Sequence, residues 1–574
     1  MVKPSNQLQK SMANEAPNNN EIIVQSNRTD KDGLTVNSTR LTPESDTRTM
    51  AILQAPMVVI PIIFIPGIMG TNLQNNDGKV VWEPPNPTSG VGPFFNAVGE
   101  LIKYKSIDAA ERQRALNPLT TKVYYGGVVD TKGVIDRKTA NDRGWGALSQ
   151  SAYQPMMSKL QAELNEIVVL GKMAPPWDGI QIRSPADYGE QKGQTALNEE
   201  QIKHAANYGF DVWGGGYNWT KSNRESSLEL IEYIENTVLA YYPKDADEKG
   251  KIKEKKDRPI AQKVILVTHS MGGLISRAIC NIHSYPKVLG VVNGVMPATG
   301  AAATYHHARC GYEGMAKTIL GRNAAEVIAV MGNSPGALEL IPSADYNSGK
   351  PWLKLGGMTD DDPQLPKTNP YTDIYQSRAW YGLIPQQNES FLDPAKLSGA
   401  PLSSGAESLE KQKSIFDQYD QKIDEVRKFH EVISKTYPKP VYVHYGADSG
   451  QRTWTKVHWQ GDVLFDYAAL EITKDNFKGK IFVGAKDGAI PLEFGKARQA
   501  GDGTVPDVSG AAPGAAGATA IFRQGDLGSG AYVNTNKKGK AEGYDHQDSY
   551  NDPRAQWATL YSVVTIAQDA QWHK

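Results

Sequence analysis

The chain has 574 residues, with 62 Lys and Arg against 63 Asp and Glu, and this balance argues against a nucleic-acid binder, which usually carries a strongly basic domain or stripe. Apolar residues make up 40% of the chain and charged residues 22%, so we expect a large folded core rather than a disordered or fibrous chain. Two cysteines, Cys280 and Cys310, exclude a disulfide framework and lack the spacing of a structural zinc site, while a single bridge between them stays open.

The N-terminal segment is polar and contains no basic stretch followed by an apolar one. We therefore expect a flexible arm and no cleaved signal peptide. The apolar run Ala51–Met69 approaches the length that a bilayer requires. Its prolines, Pro56, Pro61 and Pro66, disfavour a membrane helix because proline lacks the amide donor and clashes with the preceding turn. A buried strand that runs into a loop is the better interpretation, and it begins the folded body.

The following segments alternate between strand and helix patterns. The patterns predict a hairpin at Tyr124–Asp136, an amphipathic helix at Ser149–Leu170, a strand at Gly209–Trp213, a helix at Ser227–Tyr242, and strands at Lys263–Thr268 and Lys287–Val295. Alternating strands and helices are typical of a parallel sheet. The predicted fold class is α/β, with a mostly parallel central sheet.

The alternation stops between residues 301 and 439, where helical stretches are separated by loops rich in Gly, Pro and Ser. This change predicts a large, mainly helical cap or lid inserted into the sheet domain. Strand patterns at Pro440–His444, Val463–Tyr467 and Lys480–Gly484 indicate that the sheet resumes afterwards. We therefore predict an arm at 1–55, a first core part at 56–300, the cap at 301–439, and a second core part at 440–574.

A candidate nucleophile lies in Val264–Gly273, which reads VILVTHSMGG. Nucleophile elbows carry G-x-S-x-G at a turn from strand to helix, where small flanking residues allow a strained backbone to expose the serine hydroxyl. Thr268 replaces the first glycine of that pattern, whereas Gly272 and Gly273 keep the other side clear. Ser270 is therefore the predicted nucleophile.

A serine nucleophile needs a base, and in α/β-hydrolases the chain order is serine, then acid, then histidine. This order leaves His546 in GYDHQDSY and the penultimate His573. A penultimate residue is prone to fraying, so His546 is the predicted base. Two aspartates in Asp-Gly turns, Asp487 and Asp502, are candidates for the acid, and these residue patterns alone do not choose between them.

An oxyanion hole requires two backbone amides near the nucleophile. The residue after the serine, Met271, supplies one candidate. The glycine-containing loop Phe64–Gly70 follows the first core strand and supplies the other, with Ile68 as the preferred donor and Met69 as the second choice. No cysteine or histidine spacing predicts a metal site.

Several motifs together resemble the lipase branch of the α/β-hydrolases. They are FIPGIMGTNL, YNW at Tyr217–Trp219, VTHSMGG, GDGTVP and a late histidine, and the nearest families in pattern are lecithin:cholesterol acyltransferases and GPI inositol-deacylase-like lipases. In these enzymes the PG-x-x-G loop carries an oxyanion amide, which implies that role for Ile68. Their GDGTV motif carries the acid, which implies Asp502 and leaves Asp487 as the alternative. The resemblance spans about Met57–Tyr550.

The polar N-terminus, the absence of a signal peptide and the large cap resemble phospholipase effectors of bacterial type VI secretion. The resemblance implies hydrolysis of carboxylic esters in membrane phospholipids by Ser270, His546 and Asp502. It implies no required cofactor, with assistance by calcium left open, and a cognate immunity protein and a secretion apparatus as partners. It also implies synthesis in the bacterial cytoplasm and export into target cells, to the periplasm or a host membrane.

Two other functions stay open at this point. An acyltransferase or a neutral-glyceride lipase would use the same acyl-enzyme chemistry. A membrane-binding toxin on a non-catalytic hydrolase scaffold is an alternative of another class, although an intact set of Ser, Asp and His argues against it. The formal net charge of -1 provides no basis for gross electrostatic capture by anionic lipid, so we expect an apolar lid surface to engage a membrane.

Overall fold

The structure is a computed structural model, and it describes most of the chain. It covers residues 58–84, 107–169, 172–242, 259–312, 320–357, 363–403, 413–461, 467–484, 488–525 and 544–572, together with the backbone of four short strands between 22 and 53. Asp487, His573 and most of the expected strand Val463–Tyr467 lie outside the described residues. No helix within the described ranges is long and apolar enough to cross a membrane.

The strands are numbered in chain order. They are β1 Ile22–Ser26, β2 Arg28–Thr29, β3 Thr35–Val36, β4 Thr49–Leu53, β5 Val59–Ile65, β6 Leu73–Asn75, β7 Val80–Trp82, β8 Thr121–Val123, β9 Val168–Val169, β10 Lys172–Met173, β11 Gly209–Gly214, β12 Val264–His269, β13 Val288–Gly294, β14 Leu353–Leu355, β15 Gln364–Leu365, β16 Val441–Gly446, β17 Asp448–Thr453, β18 Val457–Gln460, β19 Ile472–Asp475, β20 Lys480–Val483, β21 Ile490–Phe494, β22 Gln499–Gly501 and β23 Ala520–Gln524.

The α-helices are numbered in the same way. They are α1 Ala109–Ala115, α2 Arg137–Asp142, α3 Gln150–Glu163, α4 Glu199–Ala205, α5 Asn223–Tyr233, α6 Leu239–Tyr241, α7 Gly272–Arg277, α8 Ala302–Cys310, α9 Ala324–Met331, α10 Pro335–Leu338, α11 Ile415–Ile433, α12 Asp507–Gly510, α13 Ala512–Ala515 and α14 Pro553–Ala567. Short π-helical segments continue α5 through Ile234–Val238 and α7 through Ala278–Ile282.

The central sheet contains six strands in the order β11-β5-β12-β13-β16-β23, and every neighbouring pair is parallel. The predicted α/β class with a parallel sheet is confirmed. Parallel strands end at the same edge of a sheet, so the segments after β5 and β12 emerge side by side. This edge positions the candidate site.

Both faces of the central sheet are buried, as expected for parallel strands covered by helices. On β5, Ile60, Ile62 and Phe64 pack into one apolar cluster, with side chains of α3 and α14. The alternating residues Ile63 and Ile65 pack into a second cluster with side chains of α5 and α7. The continuous apolar run in β5, which resembled a membrane span in the sequence, is therefore the signature of a strand buried on both sides.

A second six-stranded sheet, in the order β15-β14-β18-β21-β20-β19, has its own apolar cluster with α8, α9 and α11. The expectation that Lys480–Gly484 rejoins the central sheet is wrong, because Lys480–Val483 pairs with β19 and β21 instead. Strands 457–494 associate with 353–365 because their buried side chains pack on the helices between 301 and 439. Among the described residues of 301–439, helices predominate over two short strands.

The hairpin predicted at Tyr124–Asp136 is wrong: this segment forms turns and irregular structure. Some of its backbone donors bond within the segment, and others bond to distant parts of the chain. The Tyr124 amide bonds to the Asn72 carbonyl, and the Gly127 amide bonds to the Gly146 carbonyl. With its hydrogen bonds satisfied this way, the segment needs no partner strand of its own.

Candidate active site

Ser270 occupies a tight turn between β12 and α7. Its φ of 52° is in the left-handed region, which non-glycine residues seldom adopt. The Ser270 amide donates to the Gly294 carbonyl at 2.8 Å. A Cβ atom on Gly272 would lie 2.6 Å from the Ile65 carbonyl oxygen, so the turn leaves no space for a side chain there. The geometry is that of a strained turn that presents a serine, and such strain is concentrated at functional sites.

Thr268, the departure from the elbow pattern, is accommodated without disturbing the turn. Its hydroxyl is buried and donates to Asn293 Oδ1 on β13 at 2.7 Å. The close approach to the early loop is instead made by Gly67, where a Cβ atom would lie 2.9 Å from Ser270 Cβ.

His546 and Asp502 lie in hydrogen-bonding distance of the serine and of each other. His546 Nε2 is 2.9 Å from Ser270 Oγ, and His546 Nδ1 is 2.8 Å from Asp502 Oδ2. A carboxylate only accepts, so Nδ1 carries the proton, and Nε2 of the neutral ring accepts from the serine hydroxyl. These three predicted residues come together at one point, although Ser270 lies 276 positions before His546 in the sequence.

The carboxylate of Asp502 is fully buried and fixed by the backbone of its own turn. Its Oδ1 accepts from the amides of Thr504 at 3.0 Å and Val505 at 2.7 Å. Its carbonyl accepts from the His546 amide at 2.8 Å, so the two residues are joined by both main chain and side chain. This arrangement leaves Oδ2 aimed at the imidazole.

Opposing effects set the pKa of His546. Burial lowers the pKa, but the charge and hydrogen bond of Asp502, with a further contribution from the charge of Asp545, outweigh burial and raise the pKa above its ordinary value. The ring is therefore a stronger base than an isolated imidazole in the same buried position. It is suited to accept a proton from Ser270.

The loop after β5 lies against the serine turn. Tyr217 Oη donates to the Pro66 carbonyl at 3.1 Å, and Trp82 Nε1 donates to the Met69 carbonyl at 2.8 Å. Met69 has a φ of 63°, which turns the loop sharply. Among the described residues, no acceptor binds the amides of Ile68, Met69 or Met271, so these donors remain available.

Sequence reasoning did not assign the anchoring roles of Tyr217 and Trp82. Tyr217 belongs to the YNW motif that carried the family resemblance, but the motif did not reveal what the hydroxyl binds. Elsewhere, Cys280 and Cys310 are separate thiols. Within the described ranges, no group of three or more His, Cys, Asp or Glu side chains is arranged to hold a metal ion.

Comparison with known proteins gives a close relative among solved structures. The chain matches no protein-family model, and no curated protein matches its sequence. It is 40% identical to a chain in the crystal structure of the Tle4–Tli4 complex, with a TM-score of 0.77 over 90% of this chain and 100% of that chain. Tle4 is a type VI phospholipase effector, and its complex contains an immunity protein. The chain therefore belongs to the Tle4 family of type VI phospholipase effectors.

Proposed function

We propose that this protein is a serine hydrolase of the α/β-hydrolase fold that cleaves carboxylic esters of membrane phospholipids. The observation that carries the proposal is the hydrogen-bonded series Ser270, His546 and Asp502, with separations of 2.9 Å and 2.8 Å. Membership of a phospholipase effector family supports the lipid substrate.

In the proposed reaction, Ser270 Oγ attacks the ester carbonyl carbon while its proton passes to His546 Nε2. Asp502 stabilises the imidazolium that forms. The bond from carbon to the leaving oxygen then breaks, the proton passes from His546 to that oxygen, and a lysophospholipid departs. Water, deprotonated by the same histidine, releases the fatty acid from the acyl-enzyme.

The amides of Ile68 and Met271 are the proposed oxyanion donors. Both are free of other acceptors within the described part of the chain, and the Met271 amide lies at the start of α7, where the helix dipole favours negative charge. Loss of one such donor typically costs about 100-fold in kcat.

The test uses vesicles of mixed phospholipids with the wild-type protein and the Ser270→Ala variant. Mass spectrometry of the wild-type reaction is expected to show one free fatty acid for each lysophospholipid, and none with Ser270→Ala. Ester cleavage that persists in the variant would refute the proposed nucleophile. Transfer of the acyl group to an added alcohol in place of water would instead identify an acyltransferase.

A matched pair of variants tests the acid. Asp502→Asn is expected to lower kcat by roughly 10,000-fold, because the amide no longer supports the imidazolium or the correct tautomer. Asp487→Asn, in the alternative Asp-Gly turn, is the control and is expected to retain activity. The reverse pattern would assign the acid to Asp487.

The proposed chemistry needs no cofactor, since the serine and histidine supply the nucleophile and the proton transfers. We expect phospholipid cleavage to be equal in EDTA and in added calcium. A loss of cleavage in EDTA that calcium restores would overturn this part of the proposal.

We propose further that type VI secretion delivers the protein into target cells and that a cognate immunity protein neutralises it. The support is the family relationship to Tle4, whose complex contains Tli4. Expression directed to the periplasm of a sensitive bacterium is expected to stop growth, whereas Ser270→Ala is expected to be harmless. Equal toxicity of the two proteins would favour a non-catalytic toxin.

A further inference from the structure

A buried series of hydrogen bonds beneath Ser270 connects the segments that carry the proposed catalytic groups. The Gly67 amide lies 3.2 Å from Tyr153 Oη on α3, and the same Oη lies 3.2 Å from His269 Nδ1 at the end of β12. His269 Nε2 lies 2.8 Å from the His546 carbonyl oxygen. The series therefore begins at the loop Phe64–Gly70, termed the oxyanion loop because it carries the proposed Ile68 donor. It ends at the main chain of the proposed base, His546.

The chemistry of these groups fixes the direction of every bond. A carbonyl oxygen only accepts, so His269 Nε2 carries a proton and donates to His546. Nδ1 of the neutral ring is then an acceptor, and the Tyr153 hydroxyl donates to it. A lone pair on Tyr153 Oη accepts from the Gly67 amide, so with a neutral His269 each donor in the series has one acceptor.

Both side chains stay neutral at physiological pH. Burial, reinforced by the neighbouring His546, lowers the pKa of His269 to about 3, and burial raises the pKa of Tyr153 to about 12. The rings of His269 and His546 are 5.0 Å apart, so a charge on His269 would oppose the imidazolium that the reaction requires. A neutral histidine provides two directional hydrogen bonds without that repulsion.

The loop backbone also packs directly on these two side chains. A Cβ atom on Gly67 would lie 2.8 Å from His269 Nδ1, and one on Gly70 would lie 2.6 Å from Tyr153 Oη. The rings of Tyr153 and His269 are 5.3 Å apart, and Tyr153 also packs on Phe64 of β5 at 5.4 Å. The position of the oxyanion loop relative to Ser270 thus depends on where Tyr153 and His269 lie.

We propose that Tyr153 and His269 are positioning residues that keep the oxyanion loop, the serine turn and the His546 segment in fixed positions relative to one another. The inference rests on the proposed function and adds two residues that touch neither the substrate nor the reacting atoms. Their contribution is geometric, because a displacement of about 1 Å between catalytic groups can cost about 100-fold in rate.

Three variants separate the bonds of this series. Tyr153→Phe keeps the ring packing and removes the hydroxyl that accepts from Gly67 and donates to His269. His269→Asn preserves an acceptor near the Nδ1 position and removes the donor to the His546 carbonyl, whereas His269→Gln preserves a donor near the Nε2 position. Tyr550→Phe is the matched control, because this buried hydroxyl in the same aromatic cluster donates to the Thr268 carbonyl at 2.8 Å, outside the series.

The measurements are kcat and KM on a short-chain p-nitrophenyl ester, the rate of Ser270 labelling by a fluorophosphonate, and the thermal midpoint of unfolding. Tyr153→Phe is expected to lower kcat and the labelling rate by about 10- to 100-fold with KM changed less than about twofold. Tyr550→Phe is expected to stay within about twofold of wild type in kcat at a similar unfolding midpoint.

The outcomes distinguish this inference from the proposed function. A wild-type protein that neither cleaves the ester nor labels at Ser270 refutes the proposed function. An active wild type whose kcat is unchanged by Tyr153→Phe, or lowered equally by Tyr550→Phe, overturns the positioning role. If Tyr153→Phe does not fold, the His269 variants decide: a loss of kcat at constant KM in both supports the role, and wild-type kcat in both overturns it.

Discussion

At the scale of single residues, the candidate site depends on positions where a side chain is absent. Gly67 and Gly272 allow the loop after β5 and the serine turn to approach each other more closely than Cβ atoms permit. Ser270 itself has a positive φ, which the turn imposes on a residue that carries a side chain. Local strain and missing side chains thus combine to place the Ser270 hydroxyl beside His546.

Gly67→Ala tests this close approach. The added methyl would lie 2.8 Å from His269 Nδ1 and 2.9 Å from Ser270 Cβ, so the loop or the turn must shift. We expect kcat on a soluble ester to fall about 100-fold, because a shift of this size would misplace the proposed oxyanion donors. Gly78→Ala is the control for a loop glycine, since a Cβ there has no neighbour within 4 Å, although its φ of 81° costs some stability. Wild-type kcat in Gly67→Ala would contradict the predicted crowding.

Under the proposed mechanism, the pH dependence of activity reports the protonation of His546. Only the neutral ring accepts a proton, so kcat/KM is expected to rise with pH through a midpoint above the ordinary value of 6.5, because Asp502 and Asp545 raise the pKa despite burial. In Asp502→Asn, burial still lowers the pKa of His546, but the main charge that raises this pKa is gone. The midpoint of fluorophosphonate labelling is therefore expected to move to lower pH. An unchanged midpoint in that variant would show that Asp502 does not control the titration.

At the scale of elements, the buried side chain of Glu339, the residue directly after α10, joins the end of that helix to the start of α5. Glu339 Oε2 accepts from the amide of Asn223 at 2.8 Å and from its Nδ2 at 2.6 Å. The Glu339 carbonyl accepts from His430 Nε2 of α11 at 2.8 Å. Glu339 therefore links α10 and α11, which lie in the range 301–439, to α5, which packs on the central sheet.

Burial raises the pKa of Glu339 to about 8, although the bonds from Asn223 lower it in part. Between the ordinary value of 4.5 and about 8, the folded protein binds more protons than the unfolded chain, so stability falls as pH rises through this window. A pKa that differs by one between the folded and unfolded chain changes the free energy of unfolding by about 1.4 kcal/mol. Buried histidines such as His269, whose pKa burial lowers to about 3, contribute the opposite dependence on pH. The expected result is therefore comparative: between pH 5 and pH 8, the free energy of unfolding measured in urea changes less favourably in the wild type than in Glu339→Gln.

An exposed glutamate on α11 provides the control for that measurement. The Glu431 side chain is 65% exposed, so Glu431→Gln is expected to retain the wild-type dependence on pH. A Glu339→Gln variant with the same change in stability between pH 5 and pH 8 as the wild type would contradict the assignment to Glu339.

At the scale of the whole molecule, Arg277 connects the helix after Ser270 to the end of α11. Its guanidinium donates to the carbonyls of Ala298, Ile433 and Thr436, and it lies over the ring of Tyr437 at 4.2 Å. The C-terminal carbonyls of a helix have no partners within the helix and favour a positive charge. The buried arginine thus supplies hydrogen-bond donors to carbonyls at the C-terminal end of α11, and it fixes this helix against the central sheet.

Arg277→Met is expected to lower the free energy of unfolding by about 3 kcal/mol, because the carbonyls of the buried residues Ala298 and Ile433 lose their donor at once. Chemical denaturation measures the change. The matched control is Arg427→Met on α11, whose side chain is 37% exposed and whose nearest ion pairs are 3.8 and 3.9 Å long, with an expected change below about 1 kcal/mol. Equal effects of the two substitutions would mean that the buried carbonyls do not depend on Arg277.

Local patterns predicted much of the central sheet correctly. The strands at Gly209–Gly214, Val264–His269 and Val288–Gly294, and the helix at Gln150–Glu163, formed near their expected positions, because continuous β-branched runs and helical periodicity express burial directly. The second sheet was missed as a unit, since its strands lie on both sides of position 439 and their association is decided by packing between distant segments.

The sequence by itself determined a parallel α/β core, because alternating strand and helix patterns are local. It also determined Ser270 and His546 as candidates, with Asp502 or Asp487 as the acid, because a strand that leads into a small-residue turn and an ordered series of Ser, Asp and His are patterns of the chain itself. Tertiary structure alone decided that these side chains lie 2.8 to 2.9 Å apart. It alone also shows the hydrogen bonds that link Tyr153 and His269 to Gly67 and to the His546 carbonyl. A hydrogen bond between residues 86 or 277 positions apart leaves no periodic trace in the chain, since its geometry exists only after the layers have packed.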